Sequence, residues 1–279
     1  MNTKKSSVSV WVIRVFLIIM AVISIFPLVF AILTSFKNNQ EFYANIWALP
    51  EKLRVENYAN AFVAGKVGEY ALNSIFIAVV SLSVTIVFAV LAAYALARLK
   101  IKGAELILVM LILIQVLPTE SLIIPEYMIV SRLGLLNVKY AAMILPYIGW
   151  MLPGTIIILS NFFKTIPMEL IESARIDGAT EMTTMRKIIV PLMKAPVATC
   201  LVFDFCFVWG ELMWAQLTTL SRTDGLPLSI GLLNFKGMYS TEWGQMTAAI
   251  CMVIVPMYIL FIFTQKYFIA GLTAGGVKG

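Results

Sequence analysis

Histidine is missing altogether from this 279-residue chain. Its absence counts against zinc or haem ligation and against acid–base catalysis by an imidazole. Charge is scarce as well. Asp, Glu, Lys and Arg make up 13% of the residues and hydrophobic types 61%, against about 25% and about 45–50% in soluble domains. With a mean hydropathy of +0.92, this excludes a soluble globular protein and leaves a multi-span helical membrane protein. Cysteine is limited to Cys200, Cys206 and Cys251. All three fall inside apolar runs, so they read as core filler rather than a disulfide framework. A phosphate-cradling G-x-x-x-x-G-K-[ST] loop is lacking too, since the one Gly-Lys pair, Gly65-Lys66, is followed by Val67. The chain therefore has no ATP-hydrolysing site of its own.

What is present is a series of apolar runs. Val10 to Leu33 is too long for a signal-peptide core of about 7–15 residues, and no small-residue cleavage site follows it. It reads as a retained first span with Lys4 and Lys5 on the cytoplasmic side. Further spans are expected at Leu72 to Leu96, Glu105 to Ile124 with Pro118 inside, Tyr140 to Phe162, Val197 to Leu217, and Thr247 to Phe268 with a kink near Pro256. Each has roughly 20 residues, enough to cross about 30 Å of hydrocarbon. Residues 35–70, 125–139 and 219–246 are read as external. The inner segments carry thirteen Lys or Arg over 68 residues and the outer ones eight over 79. That bias favours six transmembrane helices in an all-α membrane protein with both termini cytoplasmic. The net charge of +6 belongs to those inner loops and gives no reason to invoke nucleic acid.

One polar stretch, Phe163 to Pro196, lies between the fourth and fifth spans and faces the cytoplasm. Pro167 suits a first helical position and Met168 to Ile176 is a helix-forming run. Asp177-Gly178 breaks it, Thr180 caps a second helix reaching Val190, and Pro191 ends or kinks that helix. Met168, Ile171 and Ala174 recur at helical spacing, leaving an apolar stripe that faces water and is ready to dock.

These residues carry a resemblance. Glu172-Ser173-Ala174, three residues, Gly178, nine residues, then Ile188-Ile189-Val190-Pro191 is similar to the E-A-A-x3-G-x9-I-x-L-P signature (the EAA loop) of bacterial binding-protein-dependent ABC importer permeases. Ser173 for Ala and Val190 for Leu are conservative departures. Asn73-Ser74 followed by Ala92 through Arg98 resembles the N-S…A-A-Y-A-L-A-R pattern of the carbohydrate group. The tail, Gly271 to Gly279, resembles that of the subgroup typified by the smaller permease subunit of the maltose transporter. The resemblance spans essentially the whole chain, read as one transmembrane permease domain over 1–279 with a coupling loop at 163–196 and a tail at 271–279. It implies a multi-pass protein of the bacterial cell membrane, importing a sugar with a second permease subunit, two cytoplasmic ABC ATPases and an extracytoplasmic solute-binding protein. No cofactor is implied in this chain, ATP–Mg being held by the ATPases. Glu169, Glu172, Ser173, Ala174, Asp177, Gly178, Ala179, Ile188 and Pro191 are the implied ATPase-coupling residues, and Gly275, Gly276 and Lys278 the ATPase-contacting part of the tail.

Charges within spans mark candidate pathway residues. Glu120, just after Pro118, is placed about 22 Å along its helix from Glu105. Asp204 and Glu211, seven residues apart in span five, are placed on one helix face with Trp209 beside them. Carboxylates next to aromatic rings suit hydroxyl-rich ligands, and Asn73 joins this pathway set. Trp209-Gly210-Glu211 resembles the family's W-N-[ED] motif, with Gly210 in place of Asn. An alternative for each acid is a hydrogen bond between helices or subunits without substrate contact. A catalytic pair is disfavoured, because residues seven apart on a helix lie about 10.5 Å apart, against about 5–5.5 Å in retaining glycosidases. Two other classes stand beside the importer permease: an ion-coupled transporter or channel using Asp204 and Glu211 without ATPases, and a membrane-embedded hydrolase.

Overall fold

The computed structural model describes residues 5–99, 101–237 and 240–276. Its order is α1 (Lys5–Ser35), α2 (Asn39–Ala44), α3 (Glu56–Val63), α4 (Val67–Arg98), α5 (Ala104–Val116), α6 (Thr119–Arg132), α7 (Ala141–Thr165), α8 (Met168–Ile176), α9 (Glu181–Thr184), α10 (Val190–Leu192), α11 (Lys194–Gly210), α12 (Met213–Thr219), α13 (Leu228–Gly231) and α14 (Trp243–Gly276). No strand occurs among the described residues. Four helices there are long and apolar enough to cross a membrane, within α1, α4, α7 and α14. Two bent pairs of helices bring the number to six if each is one span.

The first bent pair changes the expected third span. The chain turns by 99° between α5 and α6. Pro118 lacks an N–H and biases Leu117 to the extended conformation it adopts, φ −71 and ψ 125. Glu105 and Glu120 therefore lie on different helices rather than 22 Å apart on one. Residues 125–132, expected in a connector, continue α6. The fifth span is also interrupted. α11 stops at Gly210, Glu211 is extended with φ −66 and ψ 126, and α12 starts afresh at Met213. Asp204 and Glu211 consequently do not share a helix face. The helix of the sixth expected span, α14, contains Pro256 and runs to Gly276, beyond the expected end at Phe268.

The contacts group the chain into two compact units. In one, Met1–Glu69 with Gly231–Val255, Asn57 donates from Nδ2 to the carbonyls of Ser35 and Lys37 at 2.8 and 2.9 Å. Lys37 is only 1% exposed and donates to the carbonyls of Asn45 and Ile46 at 3.2 and 2.9 Å, which compensates burial of its charge. Gly244 lies so near the Lys37 carbonyl that a Cβ there would approach the oxygen to 2.2 Å, so no side chain fits. Trp243 stacks on Phe42 at 4.8 Å and donates to the Tyr43 hydroxyl at 2.9 Å.

The other unit is Tyr70–Ile230 with Pro256–Gly279. It is packed around α7, which buries ten residues from Ala142 to Phe163. One cluster joins Ile77, Leu82, Tyr147, Met151, Val208 and Trp214. A second joins Ala89, Ala93 and Tyr94 of α4 to Leu159 and Phe163 of α7, Ile171 of α8, and Ile189 and Met193. The two alanines of α4 are fully buried. Their small side chains let the helix backbones approach closely, as is usual between membrane helices.

Candidate functional site

The central polar stretch folds largely as its residues dictate. Pro167 stands just outside α8 as its cap rather than as its first residue, with φ −56 and ψ 135. Gly178 has φ +79, the left-handed conformation that glycine takes without steric cost. The Thr180 hydroxyl accepts from the Thr183 N–H at 3.3 Å and caps α9. Met185–Ile189 then forms a wide π turn, in which the Val190 N–H reaches back to the Met185 carbonyl. Pro191 follows inside α10, and the chain bends by 75° between the α9–α10 segment and α11.

The apolar stripe of α8 is real, but its partner differs from the expected one. Ile171 is fully buried and Ala174 nearly so, while Met168 packs against the same cluster as Tyr94, Phe163 and Ile189. The stripe ties α8 to its own membrane helices instead of facing water. The outward face holds Glu169, Glu172, Ser173, Asp177 and Gly178. Beside them Leu170 is 41% exposed, Met182 53% and Ile176 86%. Ala179 and Ile188 are half-buried and Pro191 is exposed.

Two residues at the end of α4 lock the knuckle. The Tyr94 hydroxyl donates to Glu181 Oε2 at 2.7 Å, and Arg175 Nε donates to Glu181 Oε1 at 2.8 Å. The Tyr94 hydrogen bond, with Arg175 behind it, outweighs partial burial and holds the Glu181 carboxyl below its ordinary range. Arg98 donates from Nη2 to the carbonyls of Phe163 and Ile166. A permanent positive charge there satisfies orphan carbonyls at the C-terminal end of α7. Neither residue figured among the expected site residues. The available signal was their spacing: Tyr94 and Arg98, four apart, lie on one helix face.

The carboxylates within the bundle divide into different roles. Glu211 accepts from the Tyr147 hydroxyl at 2.7 Å and from the N–H groups of Trp214 and Ala215 at 2.7 and 2.9 Å, so it caps α12. Asp204 is buried and accepts from Thr155 Oγ1 at 2.9 Å. Asn73 donates to the Leu226 carbonyl at 2.9 Å and accepts from the Tyr140 hydroxyl at 2.6 Å. Trp209 is buried and stacks on Phe205 at 5.1 Å. Glu120 is exposed. The structure thus does not gather the five into one pocket. Glu126, which the sequence did not single out, instead accepts from Trp150 Nε1 at 2.9 and 3.1 Å. Gly275 and Gly276 are the last two residues of α14, and Lys278 lies outside the described residues. Among the described residues, no group of three or more His, Cys, Asp or Glu is arranged to hold a metal ion.

An all-helical bundle broken twice within its apolar segments, with a polar knuckle bolted to two of its helices, defines a membrane permease. Residues 85–272 match the family described as the binding-protein-dependent transport system inner membrane component, and the chain belongs to that family. It is 34% identical over 283 residues to the arabinooligosaccharides transport system permease protein AraQ of Halalkalibacterium halodurans, covering 100% of both chains. It is 36% identical over 262 residues to the sulfoquinovosyl glycerol transport system permease protein SmoH of Agrobacterium fabrum, covering 94% of this chain and 91% of that one. A solved bacterial ABC transporter that imports the acidic polysaccharide alginate contains a chain of the same fold, with TM-score 0.80 and 22% identity over 96% of this chain and 99% of that one.

Proposed function

We propose that the chain is one of two permease subunits of an ATP-driven importer for a carbohydrate, an oligosaccharide or sugar derivative. It forms half of the translocation pathway. A second and different permease forms the other half, two cytoplasmic ATPases hold ATP–Mg, and an extracytoplasmic solute-binding protein delivers the sugar. Relatives named for arabinooligosaccharide, sulfoquinovosyl glycerol and trehalose/maltose transport support the substrate class. The excess of Lys and Arg on the loops read as inner supports six spans with both termini cytoplasmic, an arrangement in which the knuckle lies on the ATPase side.

The observation that carries the reading is the two-sidedness of α8. Ile171 anchors it inwards and Ile176 stands outwards. A helix seated in an ATPase cleft by its outer face, and packed on α4 and α7 by its inner face, transmits displacement because a packed core moves as a block. Glu169, Glu172, Ser173, Ala174, Asp177, Gly178, Ala179, Ile188 and Pro191 serve this coupling, and Gly275, Gly276 and Lys278 approach the ATPases from the tail.

Gly178→Trp tests it. No atom lies within 4 Å of the position a Cβ would take there, so the cost within the chain is that of a side chain at φ +79, a cost that Gly178→Ala shares and that should leave most of the uptake intact. Sugar uptake by the reconstituted complex should fall at least tenfold while the chain still inserts in the membrane. Normal uptake with normal assembly would overturn the coupling role.

A further inference from the structure

The 99° bend between α5 and α6 falls inside the apolar run expected to cross the membrane. α5 starts next to the basic cluster at Arg98 and Lys102 and has 13 residues, so Leu117 is about 20 Å from its start, in a hydrocarbon layer about 30 Å thick. Non-helical backbone at that depth is tolerated only where protein covers it or where it lines a cavity, and interrupted helices mark binding sites in transporters.

A cavity of about 350 Å³ opens at this bend, between α5–α6 and α7, lined in part by Gln115, Thr119, Glu126, Gly149 and Trp150. A second, of about 260 Å³, shares Gln115, Thr119 and Trp150 and reaches Thr155 and Asp204. The Trp150 ring is braced edge-on by Phe207 at 6.0 Å and Trp214 at 5.5 Å. Among the described residues, Glu126 accepts only from the indole N–H and Asp204 only from Thr155, whereas a carboxylate offers about four acceptor sites. A fixed aromatic wall with a partly used carboxylate on each side, a carboxamide and a hydroxyl matches a ligand with an apolar ring face and a rim of hydroxyl donors.

We propose that this chain itself contributes a sugar subsite: a pyranose ring of the transported carbohydrate rests on Trp150 in the cavity at the bend, with Glu126 and Asp204 accepting its hydroxyls. The inference rests on the carbohydrate reading above. Gln115, Thr119 and Gly149 shape the subsite, and Gly149 matters because a Cβ there would meet nothing within 4 Å. A side chain added at that position starts into open space at the wall of the cavity.

The test uses the assembled complex with its binding protein in liposomes, supplied in turn with radiolabelled arabinotriose, maltotriose and stachyose. The wild type should take up at least one. Gly149→Ala should slow that uptake slightly and Gly149→Leu at least tenfold, while Val79→Phe, on an exposed flank of α4, leaves it unchanged. With Cys200, Cys206 and Cys251 replaced by alanine, Gly149→Cys should react with a charged, membrane-impermeant thiol reagent, and the transported sugar should slow that reaction at least threefold. The same sugar should not slow labelling of Lys52→Cys, exposed in the polar loop between α2 and α3. Unaltered uptake by Gly149→Leu, or labelling at position 149 that the sugar does not slow, overturns the subsite and leaves the importer reading standing. If the wild type takes up none of the three sugars, the reading of the cargo as a neutral oligosaccharide of these kinds falls and the subsite proposed for it falls too.

Discussion

α1 and α7 are both long apolar helices, yet they are built on opposite terms. The most apolar stretch of α1 has mean hydropathy 3.0 and none of its residues is buried within the chain, burial between Val10 and Ser35 being confined to Thr34 and Ser35 at the helix end, whereas that of α7 has 1.8 and 44% of its residues are buried. The more apolar helix is the less buried one. In water the correlation runs the other way, because burial is what removes apolar surface from solvent. In a bilayer lipid or a neighbouring subunit can do that for α1, and α7 holds its place through specific partners: Tyr147 to Glu211, Thr155 to Asp204, Trp150 to Glu126, and its last carbonyls to Arg98. Between membrane helices such packing and hydrogen bonds take over the role of hydrophobic burial.

The contrast can be broken by substitution. Leu159 of α7 is fully buried among Ala89, Ala93 and Phe163. Leu159→Asp places an unpaired carboxylate there and should cost more than about 4 kcal/mol, read as loss of the folded chain in detergent. Next in size, Ile171→Ala opens a cavity where α8 meets the end of α7. It should destabilise by about 2–5 kcal/mol, seen as a lower thermal midpoint, and should lower uptake because the knuckle is loosened. Smallest of all, Ile18→Ala on α1, at a side chain 62% exposed, should alter stability of the isolated chain by no more than about 0.5 kcal/mol. A large effect there would mean that α1 holds the chain together after all and would erase the contrast.

The same distinction explains what the sequence revealed. Lipid-facing surface leaves a loud signal, so the starts of the spans and the all-helical class were legible from hydropathy. The knuckle was legible from its turn chemistry, with Gly178 at positive φ and Thr180 capping. Breaks inside apolar runs were harder to read. Pro118 was visible, but a proline alone does not distinguish a 99° bend from the intact helical course past Pro146 and Pro153. At Glu211 no proline marks the break, and the side chain that appeared to line a pathway turns out to cap the next helix. The spacing of Met168, Ile171 and Ala174 gave the apolar face of α8 but not its partner, since periodicity states which side is apolar and not what covers it. Pairs such as Trp150 with Glu126, or Arg98 with the carbonyls at 163 and 166, join different helices and leave no local trace.

The grip of Tyr94 and Arg98 on the knuckle has a consequence for swapping parts between transporters. A graft confined to residues 163–196 would arrive without the phenol that meets Glu181 and without the guanidinium that seals the carbonyls at 163 and 166. The transplantable unit therefore includes the last two turns of α4, two segments of chain more than sixty residues apart. A chimera that moves both keeps its drive shaft attached at both ends.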